Sequence, residues 1–180
     1  MNNDIMVNNA EYLVEKFLNE IIRLAFVYVK NIDDAEDIAQ QVFVTYLHRK
    51  PEFENEEHAK RWLSRVTVNV AKNYIRSRRP TVNYDELAGV LSTEDIDYGH
   101  TERESAVLNA VLQLKSAYRE VIHLYYYENY DTNTIAKILG LPAPTVRSRL
   151  ARARGAIEKQ LKGEKCFEGI LQPCNEQNNG

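Results

Sequence analysis

Two cysteines and four histidines in 180 residues leave little material for metal or disulfide chemistry. Cys166 and Cys174 stand in a polar tail without a nearby His or a second Cys pair, too little for a zinc site, and a reducing compartment argues against pairing them. Long apolar runs are also missing, and no stretch approaches the roughly 20 residues of a membrane span. The opening MNNDIMVNNAEYLVEK has no basic region followed by an apolar core and a small-residue cleavage site, so the cytoplasm is the expected compartment. There is no phosphate-cradling Gly loop, no metal-ligand spacing and no nucleophile motif, and the acids are dispersed on helix starts and in one connector. The expectation is no catalytic residue, no metal and no cofactor. No segment reads as a strand-rich sheet, and a 44% hydrophobic, 27% charged chain of this length can bury one moderate core or two small ones.

What is present is charge, unevenly placed. The net charge of −3 hides a segregated pattern. From Glu11 to His58 eleven acids face five bases, from Lys60 to Arg79 there are seven bases and no acid, and from Thr81 to Glu104 seven acids stand against Arg103 alone. Between Pro142 and Lys165 seven bases return against Glu158 and Glu164. Two basic segments separated by an acidic connector point to two DNA-contacting surfaces, because phosphate attraction and counterion release need positive charge locally.

The second basic segment lies in DTNTIAKILGLPAPTVRSRLARARGAIEKQL, Asp131 to Leu161, which reads as a helix-turn-helix. Asp131 suits an N-cap, Ile135, Ala136 and Leu139 give the first helix an inward side, and Gly140 ends it. Leu141 falls in the turn, and Pro142 and Pro144 stand where a second helix begins, where a missing N–H costs nothing. Val146, Leu150, Ala153, Ile157 and Leu161 then recur at steps of three and four. That apolar stripe puts Ser148, Ala151, Arg152 and Gly155 on the opposite face, flanked by Arg147, Arg149 and Arg154. Arginines crowded into the first turns of a second helix fit phosphate and guanine-edge recognition in the major groove.

Taken in order, Ala10 to Lys30 is predicted helical through Leu13, Phe17, Ile21, Leu24 and Tyr28. A second helix follows, with Asp33 as cap and Glu36 completing a capping box, and runs to about His48. Its Ile38, Val42 and Thr45 are expected inside, leaving Gln40, Gln41, Phe43 and Tyr46 as material for a partner surface. Asn55 is expected to cap a third helix to Arg78, with Trp62, Leu63, Val66, Val70 and Tyr74 buried and Asn69 and Asn73 one turn apart on its basic side. Helices resume near Glu102, with Val107, Ala110, Val111 and Leu114 as one stripe. Ser116 is expected to cap the next helix, which reaches the run Tyr125, Tyr126, Tyr127.

The predicted architecture is all-α, two small helical domains joined by an acidic linker, the C-terminal one a helix-turn-helix. The expected divisions are residues 1–80, a flexible linker 81–101, a second domain 102–165 and a polar tail 166–180.

Two blocks carry a family resemblance. DAEDIAQQVF (Asp34 to Phe43) with RWLSRVTVNVAKNYIRSRRP (Arg61 to Pro80), followed by YREVIHLYYYENYDTNTIAKILGLPAPTVRSRLARAR (Tyr118 to Arg154), resembles the extracytoplasmic-function group of bacterial sigma-70-type RNA polymerase sigma factors. The resemblance implies an alternative sigma factor that binds core RNA polymerase and directs promoter recognition, DNA melting and transcription initiation. On that resemblance Asp34, Asp37, Gln40, Gln41 and Phe43 belong to the core-polymerase surface. The loop Phe53, Glu54, Asn55, Glu56, Glu57 and His58 captures a flipped base of the downstream (−10) element, helped by Asn69, Asn73 and Arg76 on the melted strand. Arg147, Ser148, Arg149, Ala151 and Arg152 meet the upstream (−35) element. Core polymerase, promoter DNA and an anti-sigma factor are the implied partners, with no small-molecule substrate and no membrane insertion. The alternative is a stand-alone helix-turn-helix repressor or activator, which would dimerise on a palindrome.

Overall fold

The computed structural model describes residues 7–78 and 102–161, with the side chains of 102–106 excepted. The proposed linker, Cys166, Cys174 and the basic residues Arg79, Lys162 and Lys165 lie outside the described residues. All regular structure among the described residues is helical. Here it is numbered α1 (Ala10–Val29), α2 (Ile32–Arg49), α3 (Glu56–Arg78), α4 (Glu102–Gln113), α5 (Ser116–Ile122), α6 (Thr132–Leu139) and α7 (Ala143–Leu161), with a π-helical turn over His123–Tyr127.

In the first unit α1, α2 and α3 pack pairwise. The stripe Leu13, Phe17, Ile21, Leu24 and Tyr28 of α1 is buried in the same core as Ile38 and Val42 of α2 and Leu63 and Val66 of α3. Neither α1 nor α2 needs glycine to stop: Lys30 and Lys50 take left-handed backbone (φ 53° and 45°) and donate their N–H groups to the carbonyls of Phe26 and Tyr46. The cap of α2 differs from expectation. Asn31, not Asp33, precedes the helix, and its side chain accepts from the Asp34 N–H at 2.9 Å, leaving Asp33 and Asp34 in the first turn.

In the second unit α7 is the common surface, packed by α4, α5 and α6. Asp131 caps α6 by accepting from the amides of Asn133 and Thr134, while Gly140 (φ 66°) and an i→i−5 bond from the Leu141 N–H to the Ala136 carbonyl form a Schellman ending. Ser116 opens α5 without the expected cap, because the preceding position is Lys115 and no side chain bonds the first turn. Beyond Ile122 the helix widens, with Glu128 N–H reaching the His123 carbonyl five residues back. This extra residue per turn turns His123 and Leu124 inward and leaves Tyr127 exposed.

The two units pack on each other, α1 against α5 and α3 against α6. Polar groups do much of the joining. The Glu120 carboxylate, its side chain 4% exposed, accepts from Tyr28 Oη at 2.6 Å and lies 3.0 Å from Lys72 Nζ and 2.8 Å from an Arg149 guanidinium nitrogen. Beside it Arg119 is buried and donates to the Val27, Leu112 and Leu114 carbonyls. Further along, Lys60 bridges Glu20 of its own unit and Glu128 of the other, and Ser64 Oγ meets Tyr130 Oη at 3.2 Å.

Candidate nucleic-acid interface

The second helix of the helix-turn-helix, α7, is built as its periodicity predicts. Val146, Leu150, Ala153, Ile157 and Leu161 are all buried, and Arg147, Ser148, Ala151, Arg152 and Gly155 are all exposed. Arg149 departs from this. Nearly two turns from the helix start, it turns back to Glu120 of its own unit and is held there by an ion pair, next to the Tyr28 and Lys72 contacts that Glu120 makes with the first unit and away from the outer face. Arg154 is likewise engaged: its Nε donates to Tyr126 Oη at 2.8 Å, and its guanidinium lies over the Tyr125 and Tyr126 rings at 5.3 and 5.7 Å. The outer face therefore offers two unengaged guanidinium groups, Arg147 and Arg152, with Ser148 and Ala151 between them.

The basic helix α3 is less free than its charge implied. Lys60 and Lys72 face Glu128 and Glu120 across the two units, and Arg78 pairs with Asp34 at 2.8 Å. Lys60 is the most covered of the three, its side chain 20% exposed, whereas the Lys72 and Arg78 side chains are 44% and 49% exposed and water screens their pairs. Arg65, Asn69, Asn73 and Arg76 remain on the exposed side, Arg76 donating to Asn73 Oδ1 at 2.6 Å. Trp62 and Tyr74 are half-buried, packed at the core's edge.

Loop 50–55 does not project its aromatic residue. Phe53 is 3% exposed, stacked with Tyr46 at 6.0 Å and tilted against Trp62 at 5.7 Å, with the His58 ring edge-on at 5.5 Å. It anchors the loop and is unavailable to a base. Asn55 caps α3 as expected, its Oδ1 accepting from the His58 N–H at 2.8 Å. Glu56 accepts from Tyr12 Oη and pairs with Lys16, which together hold its carboxyl below the usual carboxylate range. Glu57 reaches Arg61 at 3.8 Å, and Glu54 and Asn55 are exposed.

On α2 the two faces separate cleanly. Ile38, Val42, Phe43 and Tyr46 are buried, Phe43 at 8%, so neither aromatic is left for a partner, while Thr45 is half-exposed and bonds the Gln41 carbonyl. Asp34 is tied to Tyr74 and Arg78. Asp37, Gln40 and Gln41 face outward together with Val44 at 42% and Leu47 at 53% exposure, two apolar side chains the sequence reading passed over. The available signal was their spacing: 37, 40, 44 and 47 step around the helix on the face opposite Ile38 and Val42. Among the described residues no cluster of His, Cys, Asp and Glu could hold a metal ion, and no helix is long and apolar enough to cross a membrane.

This pairing of a three-helix unit with a helix-turn-helix unit has clear relatives. Residues 13–81 match the Sigma-70 region 2 family and residues 104–157 match Sigma-70, region 4. The extracytoplasmic-function (ECF) RNA polymerase sigma-E factor of Haemophilus influenzae is 31% identical over 166 residues, spanning 83% of this chain and 86% of that protein. The chain belongs to the extracytoplasmic-function group of sigma-70 factors. This sigma factor is also 30% identical to the RNA polymerase sigma-H factor of Pseudomonas aeruginosa over 165 residues, 84% of this chain and 86% of that one. ECF sigma factor SigW of Bacillus subtilis is 28% identical over 163 residues, 83% and 87% of the respective chains. The fold is shared with the sigma factor RpoE solved with the anti-sigma factor NepR from Bartonella quintana, at TM-score 0.69 and 23% identity over 86% of this chain and 98% of that one. As an alternative sigma factor the chain carries a region 2 unit that a stand-alone helix-turn-helix regulator lacks, and that second reading is not favoured.

Proposed function

We propose that this sigma factor divides promoter work between its two units. The outward face of α2, with Asp37, Gln40, Gln41, Val44 and Leu47, docks on core RNA polymerase: two exposed apolar side chains ringed by polar ones have the make-up of a protein contact. The exposed side of the loop, Glu54 to His58, with Asn69, Asn73 and Arg76, meets the melted downstream (−10) element. Arg147, Ser148, Ala151 and Arg152 read the upstream (−35) element, and Arg149 stays paired with Glu120 until DNA competes for it. An anti-sigma factor is a further partner, a reading supported by the solved relatives held with NepR and with the cytosolic domain of CnrY. The compartment is the cytoplasm, where polymerase and promoter are, and the chain does not itself catalyse a reaction. The acidic stretch 81–101 acts as connector between domains 1–80 and 102–165.

The observation that carries this reading is the outer face of α7: four contiguous potential DNA contacts, all exposed, directly behind a fully buried stripe. Run-off transcription with core polymerase, with and without the protein, tests it. A discrete protein-dependent transcript is expected, and DNA binding without polymerase coupled to no transcript would refute it.

A further inference from the structure

The short segment ahead of α1 reaches the capture loop. Val7 is buried and Asn9 caps α1 by accepting from the Glu11 and Tyr12 amides, so both neighbours of Asn8 are fixed. Asn8 turns its side-chain amide onto Phe53, 45 residues away: its Nδ2 donates to the Phe53 carbonyl at 3.2 Å, and its Oδ1 accepts from the Phe53 N–H at 2.7 Å. One primary amide thus pairs both peptide groups of one residue, as a neighbouring strand would. The Asn8 carbonyl in turn accepts from Tyr46 Oη at 2.7 Å, and the Tyr46 ring stacks on Phe53. Asn8, Tyr46 and Phe53 close a ring of contacts at the root of the loop.

The rest of the loop is held differently. Glu54 N–H to His58 Nδ1 and His58 N–H to Asn55 Oδ1 are internal to it, the Phe53 ring is held by stacking on Tyr46 and by contact with Trp62 and His58, and Glu56 is tied to Tyr12 and Lys16 of α1. The Asn8 amide fixes the direction of the Phe53 peptide, and through it the course of the chain from Glu54 to His58.

We propose that Asn8 is a positioning residue for promoter selection, orienting the loop that captures a base of the downstream element. This rests on the reading of residues 53–58 as that loop. Losing two part-buried hydrogen bonds should lower the unfolding midpoint modestly, and the effect that marks a positioning residue is the one on selectivity.

The test is transcription by core polymerase with the full chain on a library of randomised downstream elements, comparing wild type, Asn8→Ala, Asn8→Asp, Tyr46→Phe and His58→Ala, with unfolding midpoints measured in parallel. Asn8→Asp keeps the acceptor for the Phe53 N–H but sets a carboxylate oxygen against the Phe53 carbonyl, so it should behave like Asn8→Ala. Both should cut discrimination at one downstream position by at least about threefold, within the range one base pair commands. Upstream preference should hold while the midpoint falls only modestly, and Tyr46→Phe should shift the same position by less. An unchanged downstream preference in both Asn8 variants, with His58→Ala still altering it, overturns the proposal and leaves the loop reading standing. If His58→Ala also changes nothing, the loop reading itself fails. A uniform loss of transcription on every sequence with a lowered midpoint would make Asn8 a merely structural residue, and the proposal would fall.

Discussion

The upstream-facing helix and the downstream-facing loop solve the same problem by opposite means. On α7 the exposed Arg147, Ser148, Ala151 and Arg152 owe their direction to residues three and four positions away, since Val146, Leu150 and Ala153 bury the other side of the same helix. In the loop no such local rule operates. Its root is held by Asn8, Tyr46 and Trp62, from three different parts of the chain. A helix carries its orientation in its own periodicity, whereas a loop borrows orientation from whatever it touches.

Matched truncations break this comparison with the largest effects. Phe53 and Leu150 are both 3% exposed, so Phe53→Ala should cost about 3–5 kcal/mol and Leu150→Ala about 2–5 kcal/mol of stability. Denaturant midpoints measure the cost, and promoter libraries show where it falls. Phe53→Ala should scramble downstream preference while the upstream preference survives, and Leu150→Ala should do the reverse. Loss of both preferences in both variants would mean that the two surfaces are not separately supported.

The same contrast decides what could be read beforehand. The α7 stripe, the Asp131 cap, the Gly140 stop and the α1 stripe were all legible because each depends on residues within a turn or two. Phe43 and Phe53 are both buried, although an aromatic beside a polar run reads as exposed, and for Phe53 the cover comes from Tyr46 and Trp62 on two different helices. Arg149, Lys60 and Lys72 lie in the basic segments, and charge totals along the chain do not show that Glu120 stands opposite Arg149 within one unit, or that Glu128 and Glu120 stand opposite Lys60 and Lys72 across the two. The π-turn at His123–Tyr127 left no composition signal at all.

Acidification should sharpen the comparison by loosening the tie between the two units. Burial alone would push the Glu128 carboxyl up, but the His123 hydrogen bond and the Lys60 ammonium hold it below its ordinary 4.5. A carboxyl depressed in the folded state adds stability that is present above the ordinary value and lost as pH falls through the folded one. Glu128→Gln should therefore cost about 2–3 kcal/mol at neutral pH, softened because Lys60 keeps Glu20 at 3.3 Å, and should flatten the acid limb of a stability–pH curve. An unchanged acid limb would remove Glu128 from the account.

Within α7 the comparison narrows to two cations. Arg152 is exposed on the outer face midway along the helix, so Arg152→Ala should cost ~1–3 kcal/mol at one upstream base pair if it meets a base edge. Lys159 is exposed two turns further on. Its removal should weaken all sequences alike and reduce the salt slope by about one unit, as expected of a phosphate contact. Randomised upstream elements transcribed with each variant distinguish these outcomes, and identical preferences for wild type and Arg152→Ala would pass the reading role to Arg147 and Ser148.

The smallest expected effect asks whether the outer face of α7 depends on helix rigidity. Gly155 sits in the helix interior on the exposed side, and a Cβ built there meets nothing within 4 Å. With no clash, Gly155→Ala changes only backbone freedom, and the helix should gain about 0.5–1 kcal/mol. If orientation on α7 already comes from the buried stripe, the unfolding midpoint should rise while upstream preference stays where it was. A changed preference, with the midpoint raised as expected, would show that the reading face bends at Gly155 when DNA binds, and that α7 borrows part of its geometry from its ligand as the loop borrows from Asn8.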